Sequence, residues 1–184
     1  MNLNDAIKTR HSVKKFTEKK PDWRDIIECI DAARYAPMAG ANYSMKFILV
    51  SDSNSINKIA EAAQQDFIKK AQYVVVACSN PSRTINAYGK SGEVYARQQA
   101  GAAMQNFLLS ITEHKLATCW IGHFTEETIK KEFDIPKDVN VEAVFPIGYE
   151  REKKHTKKSP IDLDRILYFH VYDKKKMKKL SKTY

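Results

Sequence analysis

The residues from Arg10 to Lys15 set four basic side chains, Arg10, His11, Lys14 and Lys15, around one hydroxyl, Ser12. An extended backbone over 10–14 puts Arg10, Ser12 and Lys14 on one face, because side chains alternate along a strand. Two cations and a directional hydroxyl on one face suit a phosphate group. A solvated basic loop is the competing reading, since short basic runs are common. A second basic group, Lys153, Lys154, Lys157 and Lys158, follows Pro146-Ile147-Gly148-Tyr149 far along the chain. Between the two lies Cys119-Trp120-Ile121-Gly122-His123-Phe124. A glycine just past a strand lets the backbone approach a ligand closely, although an ordinary strand-to-helix turn uses the same residue. His123 is a candidate proton donor, against the commoner structural role of a lone histidine.

Other chemistry is poorly represented. Gly89-Lys90-Ser91 resembles the end of a phosphate-binding P-loop, but Thr84 stands where the leading glycine is needed. No Gly-x-Gly-x-x-Gly follows a strand, which argues against a Rossmann dinucleotide domain. Cys29, Cys78 and Cys119 are odd in number and have no metal-ligand spacing, so no metal is expected and a reduced, cytoplasmic setting fits best.

The elements that must position these residues follow from periodicity. A short helix over 2–8 is capped by Asn2 or Asn4. Trp23, Ile26, Ile27, Ile30 and Ala33 make a helical stripe after Asp22. Residues 47–51 read as a buried strand, and Asp52 or Ser53 caps a helix running to about Lys69. Tyr73-Val74-Val75-Val76-Ala77-Cys78 is wholly apolar and so reads as a central strand. Polar residues 82–91 read as an irregular, mobile loop. A long helix from Glu93 to about His114 carries Ala100, Gly101, Ala102 and Ala103, which allow close backbone packing at the centre. Strands are expected over 116–121, over 141–149 with an interruption at Pro146, and over 166–172, with a helix after Thr125. Strands separated by helices indicate α/β or α+β in one layered domain.

At 184 residues with 43% hydrophobic content, the chain has the length and composition of one globular domain. No apolar run has transmembrane length, and the N-terminus has no apolar signal region. The formal charge of +9 is concentrated late in the sequence, where residues 150–184 hold twelve Lys and Arg against five Asp and Glu. The domain is expected over 1–172, with a basic tail over 173–184. That tail has the charge to touch nucleic acid or anionic lipid, but few aromatics to stack on bases; a solubilising terminus is the plainer reading.

Arg10-x-Ser12-x-Lys14-x-Phe16, an amphipathic helix, Ala32-Ala33-Arg34-x-Ala36-Pro37, Asn42 and then a strand resemble, in this order, the flavin-dependent nitroreductase family. The Trp120-Ile121-Gly122 segment, the Gly148-Tyr149 strand end and the helix from Gln98 to Leu109 are similar as well, so the resemblance covers residues 5–170. It implies an α+β fold: three layers, α/β/α, with a mixed, mostly antiparallel central sheet and a long central dimer helix. It implies a homodimer that binds FMN at the subunit interface and takes electrons from NADH or NADPH. The acceptor implied is a nitroaromatic, quinone or similar flat molecule; a non-catalytic flavin-binding sensor is the alternative. The resemblance assigns Arg10, His11, Ser12, Lys14, Lys157 and Lys158 to the phosphate and ribityl end. It assigns Trp120, Ile121 and Gly122 to the flavin N5 edge, puts Gln64 and Gln65 near an amide contact, with Gln65 the candidate, and assigns Pro37, Met38 and Asn42 to a cover supplied by the other subunit. Four departures stand out. His11 and Lys14 occupy positions usually held by Arg, Met38 replaces Ser or Thr, and Tyr43-Ser44-Met45-Lys46 replaces x-Gln-Pro-Trp.

Overall fold

The structure, a computed structural model, describes residues 1–152 and 160–176. The chain divides into two compact units, Met1–Lys153 and Lys154–Tyr184.

The first unit is built on strand β2 (Tyr73–Ser79), every residue of which is buried. It lies between β1 (Met45–Val50) and β4 (Asn140–Gly148), and the short β3 (Ala117–Thr118) lies beyond β4, giving the order β1-β2-β4-β3. All three ladders among the described residues are antiparallel. Alternation explains why β2 is apolar throughout. Tyr73, Val75 and Ala77 enter one core with α2 (Trp23–Ala33) and α5 (Lys90–Glu113). Val74, Val76 and Cys78 enter a second core with α3 (Ser53–Ala63) and α6 (Glu126–Glu132). A helix-covered sheet buries both faces, so a central strand has no polar side. The expected three layers, α+β class and long central helix are present.

Caps fall where the sequence placed them. Asn2 accepts from the Asp5 amide at the start of α1 (Leu3–Thr9), Asp22 from Arg24 at α2, and Asp52 from Ser55 at α3. Four expectations need correction. Residues 82–91 do not form a loop, because α4 (Ser82–Tyr88) occupies them, started by the Asn80 side chain accepting the Ser82 amide and anchored by buried Thr84. The helix from Asp52 ends at Ala63, where Gln64 turns left-handed, and a 3-10 turn, Asp66–Lys70, follows. The strand at 116–121 is broken into β3 and a single bridge, Ile121 with Val144. Ile121 and Val144 exchange both backbone hydrogen bonds (3.1 and 2.9 Å), so two residues earlier the ladder needs an N–H from Pro146, which proline lacks.

The fourth correction concerns the second unit. Residues 166–172 are not a strand: a 3-10 turn, Leu163–Arg165, leads into a tight loop closed by the Phe169 amide donating to Lys174 O (2.7 Å). His170 and Asp173 both take positive φ, which a strand does not allow. Lys175 Nζ lies 4.0 Å above the Tyr168 ring and donates to Asp164 O.

Candidate functional site

Residues 10–17 are sewn onto the β3 end of the sheet. The Val13 amide donates to Thr118 O (2.9 Å), Thr17 to Tyr149 O (2.8 Å), and Arg151 to Lys15 O (3.0 Å). Val13 and Phe16 are buried with Ala71 and Ala117, and the Phe67 ring packs against them. Burial of Val13 turns its neighbours Ser12 and Lys14 outward, while Arg10 is half-buried. Ser12 and Lys14 are therefore held at the surface by a fixed backbone.

His11 is held inside this chain. Its Nδ1 is 2.9 Å from Thr9 O, and its Nε2 is 3.0 Å from Glu150 Oε1. The hydrogen bond to Glu150, then that to the Thr9 carbonyl, holds the imidazole pKa above its ordinary 6.5, against partial burial and the nearby Arg10. The imidazolium form donates from both nitrogens, so this pair contributes in full below pH 6.5 and fades as pH rises through the raised folded value. His11→Ala is expected to cost about 0.2–1 kcal/mol at pH 6, the range of partly exposed ion pairs, and less at pH 8.5. Urea unfolding at the two pH values checks this; an equal cost at both would remove the pairing as a source of stability.

Lys14 Nζ lies 5.3 Å from the centroid of Phe67, within the Asp66–Lys70 turn. Gln65 precedes that turn, half-buried, its backbone N–H donating to Ala60 O (3.0 Å). Residues 120–122 pass the same edge. Trp120 is half-exposed and meets Phe145 edge-on at 5.6 Å, Ile121 is buried, and Gly122 is exposed, with only Trp120 Nε1 near the place a Cβ would occupy. Among the described residues the Gly122 and His123 amides have no hydrogen-bond partner, and both residues face solvent. Cations, a hydroxyl and two available N–H groups thus share one sheet edge, a donor set that fits a phosphate at one end and a flat, hydrogen-bond-accepting ring at the other. Lys157 and Lys158 lie outside the described residues.

Pro37, Met38 and Asn42 are elsewhere. They flank a 3-10 turn, Ala39–Ala41, that leads into β1, on the opposite edge of the sheet from β3. Three strand spacings, about 14 Å, separate the two edges. The turn is held from two sides. Gln99, buried in the middle of α5, accepts from the Ser44 amide (2.7 Å) and hydroxyl (2.5 Å), and donates to Asn42 O (3.3 Å). Tyr88 Oη sits 2.5 Å from where a Gly40 Cβ would be, and Gly40 has φ 56°, a left-handed backbone that favours glycine. A hollow of about 210 Å³ lies beside it, lined by Pro37, Met38, Tyr95 and Gln98 among others.

Sequence reasoning missed Glu150, Gln99 and Tyr88. Only Gln99 left a signal, as an amide among small residues in a central helix. The others act through contacts 139 residues apart or between helices.

A sequence model of the Nitroreductase family matches residues 7–73 and 60–149. The chain belongs to that family. It is 29% identical over 171 residues to a protein of Methanothermobacter thermautotrophicus provisionally named as an NADH dehydrogenase/NAD(P)H nitroreductase, covering 90% of this chain and 86% of that one. A nitroreductase family protein from Clostridium novyi superposes with a TM-score of 0.76 at 29% identity, over 95% of this chain and 96% of the other. The NADPH:FMN oxidoreductase of Vibrio harveyi, solved with NAD+, shares the fold with a TM-score of 0.81 at 18% identity, over 98% and 80% of the two chains.

Proposed function

We propose that the protein is an FMN-dependent oxidoreductase that takes electrons from NAD(P)H and passes them to a flat acceptor such as a nitroaromatic or quinone. The observation that carries this is the meeting, on the β3 edge, of Arg10, Ser12 and Lys14 with the unpartnered amides of Gly122 and His123. FMN, when bound, supplies the hydride and electron chemistry, which is why the chain needs no nucleophile or acid–base pair. Arg10 and Lys14 supply charge to the phosphate and Ser12 a directed hydrogen bond, with Lys157 or Lys158 as a further cation. The Gly122 and His123 amides hold the ring edge and fix its orientation, and Gln65 adds an amide contact. His11, committed to Glu150, stiffens the segment from behind.

The site is completed by a second copy of the chain. The Pro37–Asn42 turn lies on the far sheet edge of its own subunit, so it serves as a cover only across a dimer. Exposed apolar residues on α2, α4 and α5, among them Trp23, Ile27, Ile85, Tyr88, Val94 and Tyr95, support such an interface, which should exceed about 2,000 Å². FMN-loaded monomer in light scattering at micromolar concentration would contradict it. Cys29, Cys78 and Cys119 are free and buried, and burial pushes the thiols of Cys29 and Cys78 to about 12 and about 11, which leaves them unreactive. No helix among the described residues is long and apolar enough to cross a membrane.

A ring with its edge on Gly122 and a cover over one side leaves one stacking face, and one face holds one flat molecule at a time. NAD(P)H must leave before the acceptor enters, so plots against donor at several acceptor concentrations should give parallel lines. Intersecting lines mean both bind together and remove the single-face argument. The visible absorption of purified protein, read with NAD(P)H oxidation, tests the whole reading: flavin colour without oxidation selects a non-catalytic binder instead.

A further inference from the structure

Adjoining the Arg10–Lys14 face at Lys14 lies an open depression of about 510 Å³. Lys14, Lys15, Phe16, Thr17, Glu18, Lys70 and Arg151 line it. Its four cations come from three separate parts of the first unit: the basic segment, the 3-10 turn before β2, and the residues after β4. Backbone bonds join two of these parts, since the Arg151 amide donates to Lys15 O and the Phe16–Glu150 bridge adjoins it. Glu18 is the one carboxylate in the lining; Glu152 lies on Lys15 at 3.2 and 3.3 Å. Among the described residues neither Lys70 nor Arg151 forms an ion pair. Lys70 and Arg151 have no role in the flavin site, whereas Lys14 stands on the rim of both and Lys15 is shared with Glu152.

We infer that this depression receives the 2′-phosphate of NADPH, so that the enzyme selects NADPH over NADH. The inference rests on the oxidoreductase reading and deepens it by naming the donor. NADPH and NADH are alike at the nicotinamide and differ by one phosphate monoester, which carries about −1.5 to −2 charges at neutral pH and three acceptor oxygens. Arg151 offers the planar fork that binds such a group with two parallel bonds, and Lys70 adds a point charge. With Lys15 paired to Glu152 and Lys14 shared with the flavin site, Lys70 and Arg151 face Glu18 and favour a dianion over the bare ribose hydroxyl of NADH.

The test uses FMN-loaded protein. Wild type should show kcat/KM at least tenfold higher with NADPH than with NADH, and the NADPH advantage should shrink as ionic strength rises, because exposed charges are screened. The double variant Lys70→Gln/Arg151→Gln should lose roughly tenfold in kcat/KM with NADPH, through KM, and nothing with NADH. Glu18→Gln should move NADPH the other way. Calorimetry gives a readout apart from turnover: adenosine 2′,5′-bisphosphate should bind wild type at least tenfold more tightly than adenosine 5′-monophosphate, and the double variant should not distinguish them. Equal use of both donors, or an equal loss with both in the double variant, overturns the inference while leaving the oxidoreductase reading in place. A double variant that loses FMN affinity also overturns it, since the cations then serve the flavin phosphate. Protein that neither carries nor binds FMN fails the oxidoreductase reading itself, and the inference with it.

Discussion

Arg10→Ala is expected to weaken FMN binding by about 1.5–3 kcal/mol, the scale of a lost hydrogen bond to a charged group, or one to two powers of ten in Kd. Two features make this a clean substitution. The Arg10 amide already serves as the cap of α1, donating to Ala6 O at 3.0 Å, and that role does not involve the side chain. Among the described residues the guanidinium forms no ion pair, so its removal should change folding stability by no more than about 0.5 kcal/mol. Ser12→Ala removes a neutral donor from the same face and should cost less, about 0.5–1.5 kcal/mol. Lys8→Ala, on exposed α1, should leave FMN untouched. Fluorescence titration of apoprotein with FMN measures all three. Wild-type affinity in Arg10→Ala would remove the phosphate site from this segment.

Why that face was legible in the sequence is a matter of alternation. Arg10, Ser12 and Lys14 are two residues apart, and once Val13 is buried the pattern needs no further information. What holds the face in place was not legible. The Val13 amide finds Thr118 O, and His11 finds Glu150, 139 residues away; neither partner has a residue type that announces its role. Likewise Lys14 rests over Phe67, an aromatic that reads equally well as core. The Pro37–Asn42 turn was legible as a motif, but its position on the far sheet edge is a property of strand order, which periodicity does not contain.

The fold divides the same way. Strand β2 stood out because both of its faces are covered, which leaves no polar residue in Tyr73–Cys78. Helix α4 was hidden because polar residues dominate Ser82–Tyr88 and local propensity favoured a turn; packing on α5 through buried Thr84 overrides it. The break after β3 was encoded in a residue on another strand, Pro146, and becomes visible only when the register pairs it with Cys119. The absent strand at 166–172 shows the opposite error: Ile166, Leu167, Tyr168 and Val171 have strand-like types, but the Phe169–Lys174 hydrogen bond folds the segment on itself.

The junction of α4 and α5 carries the second large expected effect. The two helices meet at Gly89, whose φ of 57° and ψ of −136° are open to glycine alone, and α5 then passes directly over α4. Gly92 is the point of contact. A Cβ there would sit 2.5 Å from the Thr84 carbonyl carbon and 2.6 Å from Ile85 Cα, and against the Thr84 carbonyl oxygen. Helix propensity favours alanine over glycine by about 1 kcal/mol, but that gain is small beside a clash with backbone that no rotamer change relieves. Gly92→Ala should therefore destabilise the protein by about 3 kcal/mol, the upper part of the overpacking range. The consequence reaches the site, since Tyr88 closes α4 and rests on Gly40, next to the turn proposed to cover the partner's flavin. Displacing α4 lifts that support, so the variant should also lose NAD(P)H oxidation while the Arg10 segment, on the other sheet edge, still binds FMN. Urea unfolding and FMN titration of the variant separate the two effects; wild-type stability in Gly92→Ala would mean that the helices part without cost and that their contact does not fix the turn.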